Sequence, residues 1–394
     1  MGIAGNVAII GVGSTRFGEN FEQSYSDMLV EAAFAAMGDA GVSHEAIEAA
    51  WLGTYLPYAW GFDGSGGPSM AKALNLHPKP VSRVSNYCTT GMEAVRMAAL
   101  AVAAGEYDVV LAAGVEKMRE VPPRGSLVAH HVEKGHPFYA KGRTAPGAFA
   151  ILATRYFREF GATNETLAQV AVKNHYHGSL NPKAHFRREV TVEQVLKAPR
   201  VCEPLGLLDC CPTTDGAAAL ILTRADLAPS FRRDYVVIQG VGLSCAAGYI
   251  TTQFSPKFDF LGFESTREAA RQAYARAGIT KPREQIDVAE VHDCFTITEI
   301  VNYEDLGFVK QGEGGAFVAG GHSKLGGELP VNTSGGLKSC GHPIGATGAR
   351  VLCDLTDQLL GRSGKRQVPG ARIALGHTLG GPGAVSSVFV LSRN

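Results

Sequence analysis

Apolar residues fall along this chain in two rhythms, and the same succession of rhythms is written twice. "NVAIIGVG" at 6–13 is an unbroken apolar run stopped by a glycine turn, the form of a strand buried on both faces. "YVVIQGVG" at 235–242 repeats it almost letter for letter. A helical spacing follows each run. In "SDMLVEAAFAAMGDAGV" it is carried by Leu29, Ala32, Ala33 and Ala36. In "STREAARQAYARAGI" it is carried by alanines, and both segments close on Ala-Gly plus a β-branched residue, a helix stop. Strands come next, "IEAAWLGTY" from Ile47 and "IDVAEVHDC" from Ile286. Then a second helical segment, "CTTGMEAVRMAALAV" from Cys88 or "HPIGATGARVLCDLTDQL" from His342, leads to an apolar strand with glycine near its end, "DVVLAAG" at 108–114 or "ARIALGH" at 371–377.

This doubled order predicts an α/β protein of two pseudo-repeated βαβαβ-type halves packed against each other. The first half spans 1–118 and is completed by about 200–230; the second spans 231–394. Cys88 and His342 stand at equivalent helix starts, so symmetry sets them facing one another across the cleft between the halves. Residues 119–199 break the pattern. "VPPRGSLVAHHVEKGHPFYAKGRTAPG" and "KNHYHGSLNPKAHFRREVTVEQVLKAPR" are rich in Pro, Gly, His and basic residues and read as an inserted loop subdomain.

Composition narrows the function classes. The 394 residues are too many for one ordinary core, and 45% apolar content with 48 glycines describes a packed, loop-rich protein. Lys+Arg and Asp+Glu are both 37, so no bulk field recruits nucleic acid or an anionic membrane. The N-terminus has no signal-peptide pattern and no run of about 18 apolar residues occurs, so a soluble, cytoplasmic protein is expected. The eight cysteines form no CxxC pair, which fits reduced thiols rather than zinc ribbons or a disulfide framework. "GVGSTRFG" lacks GxGxxG spacing and carries no dinucleotide site.

Four segments carry candidate chemistry. Cys88 in "NYCTTGMEA" sits at a helix start, where unpaired N–H groups and the helix dipole favour a thiolate nucleophile. His342 in "SCGHPIGATGA" is a candidate base for it. In "EVHDCFTITEI", His292 and Cys294 point the same way from a strand end, an imidazole and a second thiol suited to proton transfer. A single HxC leaves zinc coordination incomplete, so no metal is expected. "GHTLGGPGA" at 376–384 offers backbone N–H groups for an oxyanion, with His377 as possible support. The aromatic residues of "TYLPYAWGFDG" (Tyr55, Tyr58, Trp60, Phe62) are candidates for an apolar pocket, for core or for dimer contacts.

Taken in order, "NYCTTGMEA", "HDCF", "GHPIGATGA" and "HTLGG" resemble the thiolases, especially the type related to sterol carrier protein 2, over nearly the whole chain; "NHYHGSLNP" and "CPTTDGAAALIL" resemble the same type. The resemblance implies a layered αβαβα fold and thiolysis of a 3-oxoacyl-CoA, or the reverse condensation, with coenzyme A as substrate and no permanently bound cofactor. It implies Cys88 as nucleophile, His342 as its base and Cys294 as acid/base, because Thr378 stands where ordinary thiolases carry that cysteine. His292 and His342 would form one oxyanion hole, and the N–H groups of Cys88 and Gly380 the other. It further implies coenzyme A and acyl-CoA binding by the loop subdomain and a homodimer or dimer of dimers. With no lipid-carrier domain before the chain stops at Asn394, a small zinc-ribbon/OB-fold acyl-CoA-binding partner is also implied. Two rivals share the superfamily: a ketoacyl synthase, which has no use for Cys294, and a thiolase-like lyase performing retro-aldol cleavage, whose members lack the nucleophilic cysteine.

Overall fold

A computed structural model describes residues 2–121, 144–246 and 259–394. The first half supplies β1 (Val7–Ser14), β2 (Ala49–Gly53), β3 (Val81–Val84) and β4 (Val109–Glu116). A small hairpin, β5 (Arg200–Cys202) with β6 (Leu205–Gly206), precedes β7 (Gly216–Arg224). The second half supplies β8 (Val236–Cys245), β9 (Val288–Glu290), β10 (Ile373–Gly380) and β11 (Val385–Arg393). Nine of these strands form one sheet in the order β3-β2-β4-β7-β1-β8-β11-β10-β9.

That order is a reflection of the repeat. In each half the first strand pairs antiparallel with the last (β1 with β7, β8 with β11). The last strand pairs antiparallel with β4 or β10, which in turn runs parallel to β2 or β9. The halves join where β1 and β8 pair antiparallel through Ala8↔Val237 and Ile9↔Val236, which puts the twofold relation between those strands. The second half has no named strand equivalent to β3 among the described residues; a single parallel bridge, Ala289↔Val331, marks the place.

Strand alternation builds the layers. On β4, Val109, Leu111, Ala113 and Val115 pack with Met28, Leu29, Ala32 and Ala36 of the outer helix Tyr25–Ala40. Val110 and Ala112 pack the other way, onto the helices Thr90–Ala104 and Ile344–Leu359. The same inner core takes Ile238, Ala374, Phe389 and Leu391 from the second half, whose far face (Leu375, Val388, Val390) is covered by Ala269, Ala270 and Ala273 of the helix Glu264–Ala277. The result is the expected αβαβα stack. Both outer helices end on a left-handed glycine, Gly41 (φ 67°) and Gly278 (φ 69°), as their Ala-Gly endings predict.

The two central helices meet backbone to backbone. A Cβ on Gly91 would lie 2.6 Å from the Gly345 carbonyl and 2.7 Å from the Ala349 nitrogen, and one on Gly348 would strike the Met92 nitrogen. Gly345 and Gly348, three apart, therefore line one helix face. The seam brings the two helix starts, and with them Cys88 and His342, together. We expect Gly348→Ala to cost about 1–3 kcal/mol through forced separation of the helices, read as a lower denaturation midpoint in urea.

Most of the Pro-, His- and lysine-bearing stretch of the expected loop subdomain, 122–143, lies outside the described residues. Its described remainder includes the helices Ala145–Phe160 and Asn164–Ser179. All eight cysteines are free. No helix among the described residues is long and apolar enough to cross a membrane.

Candidate active site

Cys88 sits on a sharp elbow between β3 and the first central helix. Tyr87 has φ 48°, in the left-handed region that side chains adopt only when the surroundings impose it. The imposing groups are the two threonines of the motif. The Thr89 hydroxyl donates to the Asn86 carbonyl (2.6 Å), the Thr90 hydroxyl donates to the Tyr87 carbonyl (2.5 Å), and the Asn86 N–H donates to Thr90 Oγ1 (2.8 Å). The half-buried thiol thus stands just ahead of the helix.

The sequence expectation of a resting thiolate is corrected here. Burial pushes the Cys88 thiol up to about 12; a hydrogen bond from the Gly381 N–H works against this, and the nearby Glu116 carboxylate reinforces it. Loss of water outweighs the helix start, so Cys88 rests as a neutral thiol.

His342 is held in one tautomer by its neighbour. Its Nδ1 lies 2.7 Å from Thr347 Oγ1, and the Thr347 hydroxyl spends its own hydrogen on the Pro343 carbonyl (2.9 Å). Thr347 therefore accepts from Nδ1–H, which leaves the lone pair on Nε2. Thr347→Val removes the acceptor at nearly constant volume. We expect about a 10- to 100-fold lower kcat, by analogy with other partners that orient a working imidazole, together with a displaced acid limb in the pH–rate profile.

The "HDCF" motif divides its labour by direction. His292 and Cys294 line the same cavity as Cys88 and His342. Asp293 turns away and accepts from Asn174 Nδ2 (2.7 Å) and from the N–H groups of Leu337 (2.6 Å) and Lys338 (3.2 Å), pinning the segment that leads to His342. One ring nitrogen each of His292 and His342 and the Cys88 sulfur all lie within 4.8 Å of one another. Burial, then the neighbouring His342 and His377, hold the His292 imidazole well below its ordinary range, so it is neutral. Its Nδ1 is buried without a partner; the tautomer that strands no donor carries the hydrogen on Nε2. Burial, with Cys211 next, pushes the Cys294 thiol well up, so it too is protonated at rest.

The cavity wall is mostly apolar: Tyr55, Tyr87, Met118, Phe149, Phe295, Leu379 and Pro382 surround the four polar groups, joined by Cys210 and Cys211. Thr378 does not face it; its hydroxyl meets the Met92 sulfur at 3.2 Å. Of the aromatic cluster only Tyr55 lines this cavity, while Trp60 is buried beside Met118 and Ile344, Tyr58 is exposed, and Phe62 stacks on Tyr25. His377 also stays behind the wall. Its Nδ1 is 3.5 Å from the His292 N–H and its Nε2 is 3.2 Å from Thr266 Oγ1, so it touches the backbone of a site residue and not the cavity.

Gly380 is the last ladder residue of β10, pressed against Tyr87 and Cys88, and is not among the cavity-lining residues. The N–H directed at the Cys88 sulfur belongs to Gly381, one residue on, where the chain leaves the ladder. Sequence reasoning also missed Glu116. Its carboxylate accepts from the N–H groups of Tyr55 (2.9 Å), Leu56 (3.3 Å) and Gly345 (2.7 Å), tying the first half to the His342 helix, and burial pushes it up to about 8. The available signal was a lone acid at the end of the apolar run "DVVLAAGVE".

The thiolase N-terminal domain family matches residues 7–226, and the thiolase C-terminal domain-like family matches 246–393. An acetyl-CoA acetyltransferase of Methanothermobacter thermautotrophicus is 40% identical over 388 residues, covering 98% of this chain and 100% of that protein. Sterol carrier protein 2 of Oryctolagus cuniculus is 35% identical over 96% of this chain and 70% of its own length. Among solved structures, the Ltp2-ChsH2(DUF35) aldolase superposes with TM-score 0.84 at 28% identity, over 99% of this chain and 98% of that one. Human mitochondrial 3-ketoacyl-CoA thiolase in complex with CoA shares the fold at TM-score 0.74 and 20% identity, over 98% of each chain. With a thiolase domain matched in each half, the chain belongs to the thiolase family and is an acyltransferase of that kind.

Proposed function

We propose that the enzyme cleaves a 3-oxoacyl-CoA with coenzyme A, or runs the reverse Claisen condensation, through an acyl-Cys88 intermediate. As the Cys88 sulfur attacks the 3-keto carbon, His342 Nε2 takes its proton, and the N–H groups of Cys88 and Gly380 receive the developing oxyanion. The bond between C2 and C3 then breaks. The departing thioester enolate is held by the His292 Nε2–H and the His342 imidazolium while the Cys294 thiol protonates C2. The Cys294 thiolate next takes the proton of incoming coenzyme A, whose sulfur attacks the acyl-Cys88 thioester. Cys88 leaves and recovers its proton from His342.

The observation that carries this reading is the meeting of two thiols and two imidazoles on one apolar cavity, with the Cys88 sulfur and both rings within 4.8 Å. A retro-aldol lyase, which the likeness to the Ltp2-ChsH2(DUF35) aldolase raises, has no use for an acyl-accepting thiol. The same likeness supports a small acyl-CoA-binding partner, and the chain works as a cytoplasmic homodimer or dimer of dimers. Thiolysis of a panel of short, branched and aromatic 3-oxoacyl-CoAs, with and without a candidate partner protein, tests the proposal. Release of a shortened acyl-CoA and a trapped acyl adduct on Cys88 support it. Aldehyde or ketone release from a 3-hydroxyacyl-CoA with Cys88 unlabelled sinks it.

A further inference from the structure

We propose that the cavity is also a binding site for zinc(II), held by Cys88 Sγ and one ring nitrogen each of His292 and His342. One sulfur and two imidazole nitrogens, all donors that suit zinc, converge there within 4.8 Å of one another. Tetrahedral zinc with its usual bonds to sulfur and imidazole needs donors about 3.3–3.6 Å apart, so each group has to close by about an ångström or less, which side-chain rotation supplies. Three protein ligands drawn from Cys and His, with a fourth position open, are the arrangement of a catalytic zinc site.

The surroundings agree. Thr347 already fixes the His342 tautomer by accepting from Nδ1–H, the outer contact that a zinc-bound histidine requires. No lysine or arginine is among the described residues lining the cavity, so no fixed positive charge there opposes a cation. The fourth position opens onto the cavity, where water or a thiol completes the shell. His292 sets the limit on affinity. Its coordination through Nε2 moves the hydrogen to Nδ1, which meets no acceptor, so the metal is held reversibly rather than as a structural ion. A bound cation removes nucleophile and base together, and the site is closed to acyl-CoA while it stays.

The test needs no turnover, so its outcome is independent of the thiolase reading. Chelator-washed full-length protein is titrated with cobalt(II) as a spectroscopic stand-in and with zinc(II) by calorimetry. Expected are a thiolate-to-cobalt absorption band, one zinc per chain, and at least 10-fold slower alkylation of Cys88 by iodoacetamide, reversed by EDTA. Cys88→Ala and His292→Ala should each weaken zinc binding at least 10-fold, with folding verified by thermal melting. Cys245→Ser, at an exposed thiol, should leave it unchanged. Absence of the band, or equal zinc affinity in the wild type and both site variants, overturns the proposal.

Discussion

Replacing Cys88 by alanine brings thiolysis down by about 10^4- to 10^6-fold, the usual loss when a covalent nucleophile is removed, and leaves the fold standing. The elbow is held by the hydroxyls of Thr89 and Thr90 and by backbone groups, none of which uses the sulfur. The thiol is half-buried on a cavity wall, so its loss changes stability by no more than about 1 kcal/mol. The paired measurement is a thiolysis assay beside a urea unfolding curve. Substantial turnover by a well-folded Cys88→Ala enzyme would remove the acyl-enzyme from the mechanism.

Cys294→Ala is expected to separate the half-reactions. Cys88 and His342 remain, so attack and acyl transfer to the sulfur persist. Protonation of C2 and deprotonation of coenzyme A lose their relay, and overall turnover falls by about 10^2- to 10^4-fold. Two readouts distinguish this from general damage. Acyl-enzyme accumulates in intact-protein mass spectra, and hydrogen–deuterium exchange at the α-carbon of acetyl-CoA disappears. Unimpaired exchange in this variant would assign the proton to another group, with Cys211 the next thiol on the wall.

The repeat made much of this site legible. Because "NVAIIGVG" and "YVVIQGVG" mark equivalent strands, Cys88 and His342 fall at equivalent helix starts, and the antiparallel junction of β1 with β8 delivers the twofold relation which that reading required. Alternation along "VHDCF" placed His292 and Cys294 on one side and Asp293 on the other. What stayed hidden depends on contacts between segments far apart in sequence. Glu116 has meaning only once β4 ends beside Gly345, and Asn174 only once its amide reaches Asp293 and Glu299. The ionisation of Cys88 also lay out of reach, since a helix start is visible in letters and the loss of water around a sulfur is not.

The glycine contact between the two central helices has a consequence for how such an enzyme diversifies. The spacing between sulfur and imidazole is gauged by peptide units touching peptide units, Gly91 against Gly345 and Gly348 against Met92, a ruler that no side-chain exchange elsewhere can stretch. Met118, Phe149 and Phe295 stand outside that ruler. The apolar wall is therefore free to be rewritten while the spacing of sulfur and imidazole keeps its calibration.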